Sequence, residues 1–243
     1  KEGPVKIWFC GEVMPMFGFG PSDYSAIALS VKVAVTATLL SLPFAFAVAY
    51  LMTFQRFRGK IVLDGIVNLP LTLPPVVVGY LLLLLLGRNG WIGRTILQPL
   101  GIEIIFTWKA AVIATAVVGF PLMVRSIRIG METIDRGLIQ ASRTLGAGRL
   151  DTVTTVILPL SLRGIVAGSV LMFARGLGEF GATIIVAGNI PGVTQTIPLA
   201  IYEYASSPRG DIMAMALCGV SIAISVIVLV FHEWIGRRMD RVG

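Results

Sequence analysis

An all-helical integral membrane fold is what this sequence predicts, a bundle of about five transmembrane helices with one polar helical interruption. Three observations carry that expectation. The 243 residues are 56% hydrophobic and 14% charged, where a soluble domain carries roughly 25% charged residues. The apolar residues gather into runs long enough to cross about 30 Å of hydrocarbon, which takes about 20 residues of helix. Between the third and fourth runs lies "QASRTLGAGRLDTVTTVILPL", residues 140–160, too polar to lie in lipid.

The first run covers 26–53, and its one charge, Lys32, is near enough to an end to snorkel. The second, 61–86, carries Asp64 and Asn68 early and then Pro70, Pro74 and Pro75. Prolines supply no backbone N–H, so this helix is expected to be kinked or broken. Broken backbone at membrane depth is tolerated against protein or a water-filled cavity, which leaves packing kinks and a pathway-lining helix both open. The third run, 108–129, centres on "GFPLMV", and the fourth, 164–187, encloses Arg175 and Glu179. The fifth, 212–234, ends at His232, Glu233 and Trp234, read as an interfacial anchor. Residues 1–25, with Trp8, Phe9, Phe17 and Phe19, are broken by Gly and Pro and are expected to rest at an extracytoplasmic interface. The transmembrane domain is expected over 26–236, with a tail at 237–243.

The net charge of +7 points to membrane-surface loops rather than nucleic acid, because no aromatic residues interleave with the basic ones to stack bases. Lys and Arg crowd the 53–61 connection, the 125–163 segment and the C-terminus. By the positive-inside rule these are cytoplasmic and the N-terminus is outside. Cys10 and Cys218 are far apart and form no CxxC, so neither a metal site nor a disulfide framework is implied. Paired catalytic carboxylates, HExxH and a Ser/His/Asp set are all missing from the sequence, which argues against an enzyme. An ion-driven carrier would want unpaired intramembrane acids and inverted repeats. Asp64 and Glu179 are the candidates for such acids, and no internal repeat is evident.

Ile134, Leu138, Ala141 and Leu145 recur as one stripe of an amphipathic helix. Gly146-Ala147-Gly148 then stops it, since glycine accepts the left-handed backbone of a helix end. Leu150, Val153 and Val156 resume an apolar face until Pro159. The result is a short helix, a glycine turn and a second helix returning to the bilayer. It suits either a helix resting on headgroups or a docking surface for a cytoplasmic partner.

The spacing Gln140-Ala141-Ser142, three residues, Gly146, nine residues, Val156, one residue, Leu158-Pro159 resembles the EAA motif of ABC-importer permeases, with Gln140, Ser142 and Val156 replacing the usual Glu, Ala and Ile. The resemblance implies that about 133–158 is a coupling loop inserting into a groove on an ATP-hydrolysing subunit. Gln140, Ala141, Ser142, Arg143, Thr144, Leu145, Gly146, Arg149 and Pro159 are its candidate contacts. Small Ala141 and Gly146 would permit close approach, and Arg143 and Arg149 would face acidic groups. The chain itself has no G-x-x-x-x-G-K-[ST] loop, so ATP and magnesium belong to a separate subunit and no cofactor is expected here.

"LPLTLPPVVVGYLLLLLLG", "GFPLMVRSIR", "ARGLGEFGATI" and "NIPGVTQTIPLAIY" are similar to the permease subunit of molybdate importers. Sulfate importers share the Arg-x-x-Gly-Glu-[Phe/Tyr]-Gly core, leaving sulfate and tungstate as alternatives. The resemblance implies a type I permease fold in the cell membrane, a homodimer forming the pathway, two cytoplasmic ATP-binding subunits and an extracytoplasmic molybdate-binding protein. Pro74, Pro75, Gly79, Arg175, Glu179 and Gly181 are the pathway or gate candidates. Arg175 and Glu179, at i and i+4, are expected to pair on one face of the fourth helix, as a structural lock or beside the cargo. Gly164 and Gly168, continued by Ala174, Gly178 and Ala182, form a small-residue row for close helix packing. The 188–210 segment is either a docking loop for the binding protein or an ordinary solvated loop.

Overall fold

The computed structural model describes residues 19–240 apart from 56, 100, 102 and 209, and among these every regular element is helical. The interfacial reading of Trp8, Phe9 and Phe17 lies outside the described residues. The helices are α1 (Pro21–Phe54), α2 (Lys60–Thr72), α3 (Pro75–Leu86), α4 (Trp108–Glu132) and α5 (Arg136–Thr144). After these come α6 (Arg149–Leu160), α7 (Leu162–Leu177), α8 (Gly181–Ala187), α9 (Ile197–Ala205) and α10 (Asp211–Asp240). A π-helical turn, Gly93–Leu97, sits between α3 and α4, and another, Val153–Ile157, widens α6.

Three helices are long and apolar enough to cross a membrane unbroken: α1, α4 and the Asp211–Trp234 part of α10. The other two runs are broken. In the second, α2 and α3 meet at 113°. Leu73 and Pro74 are extended there, with ψ of 144° and 135°, because a residue before proline is pushed out of the helical region. Pro75 then occupies the first turn of α3, where its missing N–H has no intrahelical partner to lose. Pro70 stays inside α2. The fourth run departs from the single helix expected over 164–187: α7 ends at Leu177 and α8 begins at Gly181. Ala174, Gly178 and Ala182 therefore do not share one helical row. Gly178 closes α7, and Ala182 belongs to the next helix.

The core is the mutual packing of α1, α4 and α7. Fully buried Ala34, Ala37, Ala45 and Ala49 of α1 and Ala110, Ala111 and Ala114 of α4 keep these helices close. Where α4 meets α7, a Cβ on Gly130 would fall 2.9 Å from the Cα of Gly164, and one on Gly168 would fall 3.0 Å from the Met123 carbonyl oxygen. Gly164 and Gly168 thus form the helix seam expected of them, against this chain's own α4. Helix α10 is different: 11% of its apolar window is buried, so most of that surface faces outward.

The 188–210 segment is folded, not merely solvated loop. Its helix α9 buries Ile197, Leu199 and Ala200. Ser30 of α1 accepts the Ile197 N–H at 2.7 Å, and Tyr204 donates to buried Asp23 at 2.8 Å. Asp23 also accepts the Gly20 N–H at 2.8 Å, tying the start of α1 to the same cluster. Glu203 accepts from Asn189 at 2.9 Å and from Gln195 at 2.6 Å.

Candidate functional site

The two broken runs meet at their breaks. Helix α3 begins with Pro75 and packs along α8. A Cβ on Gly79 would stand 2.8 Å from both the Cα and the carbonyl oxygen of Ala182. A Cβ on Gly181 would stand 3.0 Å from Cβ of Pro75. Gly79 admits no side chain because backbone lies directly opposite, while Gly181 is held tightly against the Pro75 ring and the Val76 side chain. Glu179, between α7 and α8, has a side chain only 2% exposed. Its Oε1 accepts the Ala182 N–H at 2.9 Å, capping the start of α8, and its Oε2 lies 2.7 Å from Arg175 Nη1. That second contact is an ion pair without hydrogen-bond alignment.

Pro74, Pro75, Gly79, Arg175, Glu179 and Gly181 thus gather around one junction. Arg175 and Glu179 pair as expected but not on one continuous helical face, since Glu179 stands in the break. A buried carboxylate needs both a counter-charge and hydrogen bonds, and here it receives one of each. The junction joins two helix fragments through their ends, so it holds backbone that is not satisfied along a single helix. Arg175 keeps about a third of its side chain exposed, at 32%.

At one end of the bundle, α5 and α6 form a helix–turn–helix. Asp135 starts α5 by accepting the Gly137 N–H at 2.8 Å. Gly146, at φ 93°, makes the turn and has nothing within 4 Å of where a Cβ would stand. Ala147 N–H reaches the Ser142 carbonyl at 3.0 Å, and the Ser142 and Thr152 hydroxyls are hydrogen-bonded at 3.0 Å. Thr152 and Ile157 are buried. The apolar stripe expected on this helix is not an inward face. Ile134 is buried ahead of α5, whereas Leu138 is half exposed and Leu145 is 89% exposed. Leu150, across the turn, is 82% exposed. Gln140, Ala141, Arg143, Thr144, Gly146, Arg149 and Pro159 are exposed too, and Ser142 faces partly inward.

Sequence reasoning missed a polar cavity of about 310 Å³ where the end of α1, α2 and α4 meet. Arg128 of α4 bridges Asp64 of α2, at 3.5 Å, and Glu132, at 2.8 Å. Asn68 donates to Asp64. The Arg128–Glu132 spacing was readable as an i,i+4 pair, but no local pattern announces a partner on another helix. Asp64 is therefore paired, unlike the free acid an ion-driven carrier would use. Lys32, expected to snorkel, lies over the Trp108 ring at 4.1 Å.

The chain is thus a helical bundle with broken membrane runs and an exposed helix–turn–helix at one end. The family model described as "Binding-protein-dependent transport system inner membrane component" matches residues 32–241, and the chain belongs to that family. It is 51% identical over 222 residues to the Molybdenum transport system permease protein ModB of Escherichia coli strain K12, spanning 91% of this chain and 97% of that protein. The ModB of Haemophilus influenzae is 50% identical over 219 residues, covering 90% of this chain and 96% of its own. The Sulfate transport system permease protein CysW of Synechococcus elongatus is 35% identical over 216 residues, covering 88% and 75%. A bacterial ABC transporter involved in the import of the acidic polysaccharide alginate superposes with a TM-score of 0.72 at 17% identity, over 91% of this chain and 81% of that one. That likeness concerns the fold.

Proposed function

We propose that this chain is the membrane-spanning permease subunit of an ATP-driven molybdate importer. The observation that carries the coupling part is the Gly146 turn, which presents Leu145 and Leu150 almost wholly uncovered at the end of the bundle. Unburied leucines held by a hydrogen-bonded turn suit insertion into a groove of an ATP-binding subunit. The basic loops support a reading in which this end is cytoplasmic and the α9 end outside, where a molybdate-binding protein would dock. Two copies of the chain would enclose the pathway, with the outward face of α10 among the surfaces available to lipid or to the second copy. ATP binding in the partner subunits would draw the two coupling turns together and open the pathway outward. Hydrolysis would return it inward. Arg175, compensated by Glu179, would let a tetrahedral dianion pass without holding it.

The test uses the chain reconstituted in lipid with its ATPase and binding protein, comparing ATP hydrolysis with molybdate-loaded and sulfate-loaded binding protein. Stimulation by molybdate alone is the expected result. Stimulation by sulfate alone moves the cargo to sulfate. No stimulation by either overturns the importer.

A further inference from the structure

A cavity of about 370 Å³ lies beneath α5, between that helix, α6 and the last turn of α1. Arg136, Gln140 and Arg143 follow one another at helical spacing and line it from α5, and Arg149 lines it from α6. No carboxylate is among its lining residues. Arginines elsewhere are of two kinds. Arg88 pairs with Glu103, Arg128 with Asp64 and Glu132, and Arg175 with Glu179, while Arg58, Arg94 and Arg125 stand apart from one another without an ion pair among the described residues. Among the described residues, Arg136, Arg143 and Arg149 have neither an ion pair nor a hydrogen bond. The nearby Asp135 carboxylate is committed to capping α5. The last carbonyls of α1 offer partial negative charge but not a full counter-ion. Three like charges around one cavity repel one another, and a bound anion would relieve that repulsion.

We propose that this cavity binds the phosphate headgroup of an anionic phospholipid. Guanidinium forks match phosphate oxygens in geometry and charge. Beside Gln55, the rest of the lining is apolar or aromatic: Tyr50 and Phe54, with ring centroids 5.4 Å apart, and Ile139 and Ile157. A free hydrated dianion has no use for such a floor, whereas the glycerol and upper acyl chain of a lipid do. The position also fits. The cavity lies beside the last turn of α1, where Tyr50 and Phe54 line it; aromatic rings favour the headgroup region, and basic pockets beside cytoplasmic helix ends hold anionic headgroups. The lipid would wedge α5 against α1 and so set the angle at which Leu145 and Leu150 are presented. This consequence rests on the coupling role proposed above; the lipid site itself does not.

The experiment uses the complete permease with its ATPase in phosphatidylcholine discs, with and without phosphatidylglycerol. Lipid retained per permease is counted by mass spectrometry after mild extraction. Wild type is expected to retain phosphatidylglycerol in preference to phosphatidylcholine. Arg136→Gln is expected to weaken that retention about tenfold, the effect of losing one charge-assisted hydrogen bond, and Arg136→Gln with Arg143→Gln to abolish it. Arg88→Gln, in a different loop, should retain the lipid. Retention unchanged in the double variant overturns the proposal. So does loss of dialysis-measured molybdate binding in phosphatidylcholine discs without loss of lipid, which would assign the cluster to a free oxyanion. Release of the ATPase subunit with lipid retention intact would assign it to a protein contact and overturns it equally. If no ATPase copurifies even with wild type, the coupling reading fails while lipid retention still reports on the site.

Discussion

Arg175, on the last turn of α7, and Glu179, in the break that follows, bring their charged groups to 2.7 Å across the end of a helix. Because Glu179 also caps α8, its carboxylate links both fragments of the fourth run. The two partners are not equivalent. Arg175→Met leaves a buried carboxylate without its counter-charge and is expected to cost about 2–4 kcal/mol, less than a wholly buried pair because Arg175 is partly exposed. Glu179→Gln keeps an oxygen for the Ala182 N–H and leaves an arginine that water reaches, costing about 1–2 kcal/mol. Unfolding midpoints of the detergent-purified variants check that order, and the reverse order would remove the assigned asymmetry.

Gly79 faces the backbone of Ala182, not a side chain that could move aside. Gly79→Val should therefore push α3 from α8 and cost about 1–3 kcal/mol or more by overpacking, with transport falling alongside. Gly65, also helical, has nothing within 4 Å of its would-be Cβ. Gly65→Ala should gain about 0.5–1 kcal/mol from helix propensity. A thermal scan of both variants separates contact from propensity.

The coupling turn offers a second glycine comparison. Gly146 sits at φ 93°, whereas Gly148 sits at φ −67°, and neither has a neighbour within 4 Å. Gly146→Ala should be strained by about 1–2 kcal/mol, enough to displace Leu145 and Leu150. Gly148→Ala adopts its backbone freely. Cargo-stimulated ATP hydrolysis is expected to fall for the first and to persist for the second. Gly146→Trp should abolish it by blocking close approach.

Tyr204 offers a prediction in pH. Burial first, and then its hydrogen bond to Asp23, raise the phenol above its ordinary 10.0. The folded state therefore holds this proton more tightly than the unfolded chain. The resulting stabilisation is complete below the ordinary value of 10.0 and lost as pH rises through the folded one. Tyr204→Phe should cost about 1–3 kcal/mol at neutral pH by removing a donor to buried Asp23. Its midpoint should also lack the alkaline decline of wild type, which pH-dependent unfolding of the two proteins measures.

The break in the second run was readable because Pro74 and Pro75 remove two consecutive donors. The break in the fourth was not read, although "GLGEFG" carried a signal. Glycines on both sides of a glutamate weaken a helix, and the glutamate then caps the next one. Charge spacing identified the Arg175–Glu179 pair but not its placement in a gap. Likewise the stripe through Leu138 and Leu145 was recognised as apolar, yet periodicity does not say whether such a face is covered by its own chain. Ile139, Ser142, Thr152 and Ile157 turn towards the fold instead, through a hydroxyl pair that no repeat announces.

By itself the sequence determined that this chain lies in a membrane, where its apolar runs fall and which loops carry its positive charge. These follow from the cost of placing each local stretch in hydrocarbon, a property of neighbouring residues alone. Only the tertiary structure decided that Arg128 reaches Asp64, that Tyr204 holds Asp23, and that α3 and α8 touch at Gly79 and Ala182. Those relationships depend on which helices meet and how closely. That is settled by mutual packing of small residues far apart in the chain, and no window of sequence contains both partners.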